Sequence, residues 1–369
     1  MNREPVECSV RVDGVELSAL YPWLREVRVE SRRGEATTCS LAFDSVRQED
    51  GRWPVQDGGH FAPWRRLRID AWFGRRSEEV MRGYVREVQV DCPPDMGQAR
   101  VTVNGQDESL RLDRVHDRRT WSTEDAPMSD GQIAQQIAAD HELQANTETG
   151  LTLANLACDA TPIRFLMDRA EANGFELLVR EGTLHFRAPQ LGGTPQPTLL
   201  VYAGEATNCL RFALGHDGHR PDQVRVTRAA EQGTEPDRET VAPDLPLLGK
   251  AAADSSAAGL PAFVWDLQRP AGATAAEAKA RARAKANENA WKLHAEGELD
   301  GALYGHVLRT HETVAVDGIG DTYGGLWYVD AVTHVFSAAG YRQSFRLLRN
   351  ATGEQAAPAA ADPLALVRG

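Results

Sequence analysis

The stretch LWYVDAVTHVFSAAGYRQSFRLLRN, residues 326–350, has a counterpart near the start of the chain, GYVREVQVDCPPDMGQARVTV, residues 83–103. In both, an apolar-alternating run breaks at a short turn containing glycine, Gly97 or Gly340, and then resumes. Such a pattern predicts an antiparallel hairpin. The same hairpin is therefore written twice, 244 positions apart. The residues that recur are Tyr84, Val85 and Val88 in the first hairpin, and Tyr328, Val329 and Val332 in the second.

The first 110 residues continue the strand pattern. Apolar and polar residues alternate from Val6 to Val12, up to the turn pair Asp13-Gly14, and this period of two predicts a strand with one buried face. Five or more antiparallel strands in about 110 residues predict a small barrel or sandwich, since closure removes free edges. The further strands contain Val27 and Val29, then Cys39, Leu41 and Phe43, then Leu67, Ile69 and Ala71.

Residues 111–195 change to a helical period and predict a compact mixed α/β module. Two stretches place apolar residues on one helical face, and two short strands follow them. The delimiting signals are a cap at Ser129 or Asp130, Pro162 in a first helical turn, a stop at Asn173-Gly174, and a hairpin turn at Glu181-Gly182.

Residues 196–350 return to strand patterns and predict a second, split β-domain. Within it, residues 231–261 are dominated by Pro, Gly, Ala and acidic residues, which predicts an exposed excursion or linker. Residues 351–369 are rich in Ala and Pro and predict a flexible tail. The fold class predicted for the chain is mainly β with a mixed α+β insertion.

The longest helix is predicted over residues 274–296, opened by a capping box of Thr274 and Glu277 and closed near Gly297. Its apolar residues are mostly Ala, which favours a solvated basic face, or one that meets an acidic partner, over an RNA-binding or membrane-binding helix. The basic residues assigned to this helix are Lys279, Arg281, Arg283, Lys285 and Lys292.

Composition bounds the function classes. The 369 residues are 42% hydrophobic and 25% charged, enough for two or three cores, and the formal net charge is −12. This balance argues against non-specific binding to nucleic acid or to anionic membranes. No signal peptide or long apolar segment is found, so we expect folding in the cytoplasm. Five scattered cysteines predict reduced, mostly packed thiols rather than a disulfide frame or a zinc site.

Few residues suggest a chemical site. In GHDGH, residues 215–219, His216 and His219 could bind a metal with a third ligand from elsewhere, but the glycines favour a polar loop. In GIGDTYGG, residues 318–325, strand residues follow the glycines, which favours a β-connection over a nucleotide loop. We expect no catalytic, cofactor-binding or metal site, although a hidden carboxylate pair stays open.

The layout resembles the phage late control protein D family, over roughly residues 5–350. The stretches that carry the resemblance are FLMDRAEANGFELLVREGTLHF, residues 165–186, and the closing VAVDGIGDTYGGLWYVDAVTHVFSAAGYRQSFRLLRN, residues 314–350. The family supplies the central baseplate hub of contractile phage tails, pyocins and extracellular contractile injection systems. It is similar to the hub region of the valine-glycine repeat spike proteins of type VI secretion.

The resemblance implies two tube-like antiparallel β-barrel domains, residues 1–110 and 196–350, in a homotrimer. Three chains would then offer six similar barrels to a six-fold inner tube. The trimer would in this way connect the six-fold tube to a three-fold spike. The implied partners are the inner tube protein, a separate central spike protein, and wedge or other baseplate proteins. Neither sequence-specific nucleic acid nor membrane insertion is implied. The chain would assemble in the cytoplasm and become part of a tail particle.

The recurring hairpin residues would then be strands of the two barrels, with their alternate neighbours facing the lumen or the adjoining ring. Two other functions stay open at this point. One is a tail-associated cell-wall hydrolase with carboxylates in the mixed module, and the other is a monomeric adaptor or binding module. Activity on peptidoglycan and the native mass would separate these from the hub.

Overall fold

The computed structural model describes residues 6–94, 97–227, 238–268 and 274–354, and most of their regular structure is β. This confirms the predicted fold class. The chain divides into two compact units, whereas the domain boundaries at residues 110, 195 and 350 stay predictions. The first unit consists of Met1–Ala188, Asp300–Leu308 and Ala331–Ser344, and the second of Pro189–Leu299, Arg309–Asp330 and Phe345–Gly369.

The described residues of the first part of the chain form fourteen strands and two α-helices, with 3₁₀ turns at Ser18–Trp23 and Glu108–Asp113. The strands are β1 (Val6–Val12), β2 (Val15–Glu16), β3 (Leu24–Arg32), β4 (Thr38–Val46), β5 (Arg66–Phe73), β6 (Arg76–Asp91), β7 (Gln98–Asp107), β8 (Asp117–Thr120), β9 (Met128–Ser129), β10 (Gln144–Thr147), β11 (Thr152–Leu153), β12 (Ala157–Ala160), β13 (Glu176–Arg180) and β14 (Thr183–Arg187). The helices are α1 (Asp130–Asp140) and α2 (Pro162–Asn173).

The second part of the chain is strand-rich again, with 3₁₀ turns at Gly204–Ala206 and Ser255–Ala258. The strands are β15 (Gln196–Leu200), β16 (Cys209–His216), β17 (Gln223–Thr227), β18 (Arg238–Val241), β19 (Ala251–Ala252), β20 (Val264–Leu267), β21 (Leu293–Asp300), β22 (Thr313–Asp317), β23 (Gly325–Ser337), β24 (Gly340–Arg349) and β25 (Ala351–Thr352). The helices are α3 (Ala275–Asn289) and the single turn α4 (Gly301–Tyr304).

The first unit is built on an antiparallel sheet in the order β3-β4-β7-β6-β5-β1. Alternate residues of these strands point into one apolar core, so every strand predicted in the first 110 residues is confirmed. On its other edge, β3 pairs with the second half of β23, from Ala331 to Ser337. The buried residues of the predicted strands are Val10, Val12, Val27, Val29, Cys39, Leu41, Phe43, Leu67, Ile69 and Ala71.

Asp107 closes this sheet at the end of β7. One carboxylate oxygen accepts the Thr37 N–H at 2.6 Å, and the other accepts the Ser109 N–H at 3.0 Å and the Ser109 hydroxyl. Burial raises the pKa of Asp107 to about 6, although these hydrogen bonds oppose the shift. The carboxyl therefore binds a proton more readily in the folded chain than in the unfolded one.

We expect the sheet to lose stability as the pH rises from 4 to 6. A group whose folded pKa is raised contributes stability that is full below its unfolded pKa of 3.8 and is lost as the pH passes through 6. Urea unfolding of the wild-type chain should show this decline, on the order of 3 kcal/mol at most, and Asp107→Asn should flatten it. The exposed Asp91→Asn is the matched control. Equal slopes for the wild type and Asp107→Asn would contradict the expectation.

The mixed module has its own core, to which α1, α2 and the strands β13 and β14 contribute. Ser129 caps α1 in a capping box with Gln132, and Gly174 ends α2 in the left-handed conformation, as predicted. Beneath them, the buried Arg169 guanidinium donates to both oxygens of Asp130, at 2.7 and 3.0 Å. This buried pair ties the start of α1 to α2.

In the second unit, α3 packs on a small sheet of the order β18-β17-β20. The helix contributes the alanines Ala278, Ala282 and Ala286, spaced four apart, to the shared core. Four-residue spacing places side chains on one helical face. The alanines that argued against a membrane helix thus form a stripe along one face of α3, and this stripe packs on the strands β17 and β18.

The predicted end of this helix, near Gly297, is wrong. The helix ends at Asn289, and β21 starts at Leu293. The run of charged residues predicted that the helix continues past Asn289. Trp291 and Leu293 are buried core residues, and their burial ends the helix earlier. Lys292 is therefore not on a solvated basic face; it is buried and forms an ion pair with Asp222.

Most described residues of the predicted excursion over residues 231–261 are exposed, as predicted, but two short strands and a few buried residues anchor the segment. Residues 231–237 lie outside the described residues, but β18 pairs with β17 and β19 pairs with β25. Leu248 is 1% exposed and packs against Trp291 and Tyr328. The Pro- and Gly-rich composition therefore reflects an irregular, largely exposed backbone that is anchored at a few buried positions.

The predicted tail also starts later than expected. Ala351 and Thr352 form β25, and Ala351 is fully buried. Pairing with β19 satisfies backbone groups that a free tail would leave to water. The remainder of the predicted tail, residues 355–369, lies outside the described residues.

Candidate assembly surface

The two hairpins lie at equivalent places in two sets of six strands, and the two sets have the same strand order. The first repeat runs β3-β4-β7-β6-β5-β1, and the second repeat runs β16-β21-β24-β23-β22-β15. In each, a hairpin of two long strands is flanked by an earlier strand pair on one side. The repeats differ at one end, because β5 and β1 are antiparallel whereas β22 and β15 are parallel. The duplication seen in the sequence is thus a duplication of most of the sheet.

The two recurring tyrosines have different surroundings. Tyr328 is fully buried and stacks on Trp291, with ring centroids 5.6 Å apart and planes 11° apart. Tyr84 is half-buried beside Trp64, at 6.1 Å. Trp64 is 41% exposed, and the Arg114 guanidinium lies 4.7 Å from its ring centre. The second repeat has therefore buried its tyrosine, while the first repeat keeps an aromatic and arginine cluster at the surface.

The recurring valines follow the same trend. Val85 is buried in the first repeat, but Val88 is only half-buried. Val329 and Val332 are both buried in the second repeat. The structure thus brings the recurring residues to equivalent strand positions with unequal exposure. That their alternate neighbours face a lumen stays a prediction.

Two strand edges carry no partner among the residues that the structure describes. Beyond Val85, β6 pairs only with β7, through Glu87 to Asp91. The strand β16 stands at the end of its sheet and pairs only with β21. Unpaired backbone N–H and C=O groups on a sheet edge are a template for another strand. Sequence reasoning missed β16, whose run CLRFALGH alternates only in part.

Arg349 gathers three segments of the second unit around its buried guanidinium. Its Nε donates to the Leu248 carbonyl at 3.2 Å, one terminal nitrogen donates to the Tyr323 carbonyl at 2.6 Å, and the other donates to the Gly353 carbonyl at 2.8 Å. The side chain is 0% exposed, and burial lowers the pKa of Arg349 to about 10. Sequence reasoning gave no role to this residue, since an arginine near a strand end looks like an ordinary surface charge.

The two sequence motifs considered as chemical sites, residues 215–219 and 318–325, have structural roles. His216 ends β16, Asp217 accepts the His219 N–H at 2.9 Å, and the His219 ring stacks on Phe263. Across the described part of the chain, no group of three or more His, Cys, Asp or Glu residues is arranged to hold a metal ion. The glycine run at residues 318–325 connects the antiparallel strands β22 and β23, which confirms the predicted β-connection.

The basic face of α3 meets acidic residues of the same chain. Lys279 pairs with Glu239, and Arg283 pairs with Asp244 at 3.0 Å. The cation of Lys285 lies 5.4 Å from the Trp265 ring centre. These contacts give the helix a structural explanation that needs no external acidic partner.

The cysteines behave as the sequence predicts. All five are free thiols, with Cys39, Cys158 and Cys209 buried and Cys92 exposed. Within the described ranges, no helix is long and apolar enough to cross a membrane.

Comparisons with known proteins agree with this architecture. A family model described as the Alg8 N-terminal domain matches residues 2–338. None of the curated proteins compared with the chain matches it. Among solved structures, the fold is similar to that of the 43 kDa tail protein of prophage MuSo2 from Shewanella oneidensis, with a TM-score of 0.68 and 14% identity over 93% of this chain and 98% of that one.

Two further solved structures share the fold. The tail protein from Neisseria meningitidis MC58 gives a TM-score of 0.64 at 13% identity, covering 94% of this chain and 97% of that one. The Escherichia coli c3393 protein gives 0.54 at 11% identity, covering 95% and 79%. That protein is described as a type VI secretion system component similar in structure to the T4 tail proteins gp27 and gp5. The resemblance inferred from the sequence is confirmed at the level of the fold.

Proposed function

We propose that this chain, which belongs to the Alg8 N-terminal domain family, is the baseplate hub of a contractile tail-like particle. In this role it forms a homotrimer that adapts a six-fold inner tube to a three-fold central spike. The observation that carries the proposal is the repeated strand order, β3-β4-β7-β6-β5-β1 and β16-β21-β24-β23-β22-β15. Two similar sets of six strands per chain let three chains present six similar elements to a six-fold ring.

The fold supports the same assignment. Two tail proteins, one of them from a prophage, and a type VI secretion component share it over more than nine-tenths of this chain. The proposed partners are the inner tube protein, a separate central spike protein and other baseplate proteins. The place of action is a tail-like particle assembled in the cytoplasm. Whether the particle is a phage tail, a pyocin or an injection system does not change these contacts.

The proposed role requires no catalysis and no cofactor. No nucleophile elbow, metalloprotease helix or activated cysteine occurs in the sequence. Purified chain should therefore leave peptidoglycan intact over a long incubation. Release of soluble fragments that is lost on substitution of one or two carboxylates would overturn this part of the proposal.

The native mass of the purified chain tests whether it forms a trimer. We expect a particle of about 121 kDa, three times 40.4 kDa, for the purified chain alone or after addition of the candidate spike protein. Native mass spectrometry measures it directly, and binding of the trimer to assembled inner tube is the second readout. A stable 40.4 kDa monomer that binds neither the tube protein nor the spike protein would contradict the proposed hub function.

A further inference from the structure

A small cavity lies between the sheet of the first unit and the mixed module of the same unit. Its walls come from the turn after β3, the end of β7 with the 3₁₀ turn that follows, the helix α2 and the strand β13. Its volume is about 280 Å³, just below the range of about 300–1,000 Å³ that is typical of small-molecule pockets. A cavity of this size suits a single side chain better than a larger ligand.

The cavity has apolar walls and a polar floor. Ile163 and Met167 of α2 and Leu177 of β13 line the walls, and Met167 is 41% exposed at the mouth. Asp107 and Ser109 also line the cavity, and both are buried. Long basic side chains combine an apolar stem with a charged tip. The arrangement of the cavity matches that combination.

The Asp107 carboxylate has one acceptor position left among its contacts with the described residues. An ionised carboxylate accepts about four hydrogen bonds, two on each oxygen. Oδ1 accepts the N–H and the hydroxyl of Ser109, and Oδ2 accepts the Thr37 N–H at 2.6 Å. The open position on Oδ2 can take one N–H group. This favours an ammonium over a guanidinium, which donates two parallel N–H groups to a carboxylate.

No cation in the described part of the chain neutralises this carboxylate. Its hydrogen bonds come from uncharged groups of Thr37 and Ser109. Burial, and then the charge of Glu108, raise the pKa of Asp107 to about 6, so the group is ionised at neutral pH. A buried charge is costly unless it is paired. A cation that entered the cavity would supply the missing counter-ion.

The other charged residues around the cavity are exposed. Glu35 and Asp113 contribute two carboxylates, and Arg164 contributes one guanidinium. Glu35 pairs with Arg32 at 3.4 Å, and Asp113 accepts the Thr161 hydroxyl at 2.8 Å. Together with the buried carboxylate, the lining carries more negative than positive charge. Such a lining attracts cations and disfavours anions.

We propose that this cavity receives a lysine side chain of a protein partner, whose ammonium donates to Asp107 Oδ2 and whose methylene stem packs on Ile163, Met167 and Leu177. A protein partner is favoured over a free amine because Met167 is exposed at the mouth, where the surface around the inserted lysine would cover it. Interfaces concentrate their binding energy in such anchors, which neighbouring contacts shield from water. The site lies within one unit of one chain and does not depend on the proposed trimer.

Peptide binding to the full chain tests the site. The probe is the peptide acetyl-Ala-Ala-Lys-Ala-Ala-amide, titrated at neutral pH and followed by the ¹³C-methyl signal of Met167, which the Met167→Leu variant assigns. We expect a saturable shift with a dissociation constant on the order of 1–10 mM. The same peptide with norleucine in place of lysine should bind about tenfold more weakly or worse, because it lacks the charge. The arginine peptide should bind about threefold more weakly or worse.

Two variants locate the bound probe. Asp107→Asn removes the charge at nearly constant shape and should weaken binding of the lysine peptide about tenfold or more. Ala36→Leu adds bulk to the cavity wall without changing the carboxylate, and it should weaken binding to a similar extent. The matched control is Asp168→Asn, an exposed carboxylate on α2 outside the cavity lining, and its affinity should stay that of the wild type. Urea unfolding midpoints show whether each variant is folded.

Acidification gives an independent readout on the wild type. Asp107 takes up a proton as the pH falls below about 6, and a neutral carboxyl no longer attracts the ammonium. Affinity for the lysine peptide should therefore fall with pH over that range, while the weak binding of the norleucine peptide should not follow it. A lysine affinity that is constant through this range would contradict the proposed contact.

The remaining outcomes also decide the proposal. Equal binding of the lysine and norleucine peptides, or of the lysine peptide to the wild type and Asp107→Asn, would overturn it. Should Asp107→Asn fail to fold, unchanged binding by Ala36→Leu would overturn it instead. A Met167 shift with n-butylamine but not with the peptide would show a site for free amines and overturn the docking of a protein. None of these results depends on the native mass, so the hub and this site can fail separately.

Discussion

Replacing Arg349 with methionine should destabilise the second unit by about 3 kcal/mol or more, since each buried carbonyl left without a donor costs about 1–3 kcal/mol. The substitution leaves the carbonyls of Leu248, Tyr323 and Gly353 without their donors in a buried place. Unsatisfied buried acceptors lose their hydration without replacement. Arg349→Lys should recover only part of the loss, since an ammonium cannot reproduce the planar fork that reaches three separate segments.

The measurement is urea unfolding followed by tryptophan fluorescence, because Trp327 lies 5.6 Å from the Arg349 guanidinium. Arg346→Met is the matched control on the same strand. Its side chain is 47% exposed and pairs with Asp330 at 3.5 Å, so we expect a change below about 1 kcal/mol. Similar losses for Arg346→Met and Arg349→Met would show that the buried contacts carry no special stability.

Lys292→Met should be the second most damaging change, by about 3–5 kcal/mol. It removes the cation from Asp222, whose side chain is 6% exposed and whose carboxylate also accepts the Phe263 N–H at 2.8 Å and the Ser255 N–H at 3.3 Å. The carboxylate would then be a buried charge without a counter-ion. The segment around Ser255 and Phe263 should loosen with it, because Asp222 anchors that segment through both backbone groups.

A double-mutant cycle separates the ion pair from its surroundings. Asp222→Asn with Lys292→Met removes both charges, and we expect it to be less destabilised than the sum of the two single variants. Lys279→Met is the control, since Lys279 is 48% exposed in its pair with Glu239, and it should change stability by less than about 1 kcal/mol. Additive losses in the cycle would mean that Asp222 and Lys292 do not act as a pair.

Local patterns in the sequence correctly predicted the β-rich fold class. They also predicted most of the helix ends and turns that are marked by a capping or turn residue. Ser129 caps α1, Gly174 ends α2, and Glu181 and Gly182 form the turn between β13 and β14. These features depend on neighbours within a few residues, which the sequence contains. The repeated hairpin was also visible, because the two repeats kept similar residues at the same spacing.

The end of the long helix shows where local signals fail. Charged and Ala-rich residues continue past Asn289 with no stop signal, and the helix nevertheless ends there. Trp291 stacks on Tyr328, which comes 37 positions later, and Lys292 meets Asp222, 70 positions earlier. Burial against distant residues thus outweighed a weak helical preference.

The sequence by itself determined that one chain carries two related hairpins, because duplication leaves the same apolar spacing in both. Only the tertiary structure decided which edges each sheet leaves unpaired, which tyrosine is buried, and that Arg349 binds three distant carbonyls. The physical reason is that strand pairing, burial and the satisfaction of buried carbonyls depend on segments far apart in the chain. Residue type and spacing along the chain do not specify those partners.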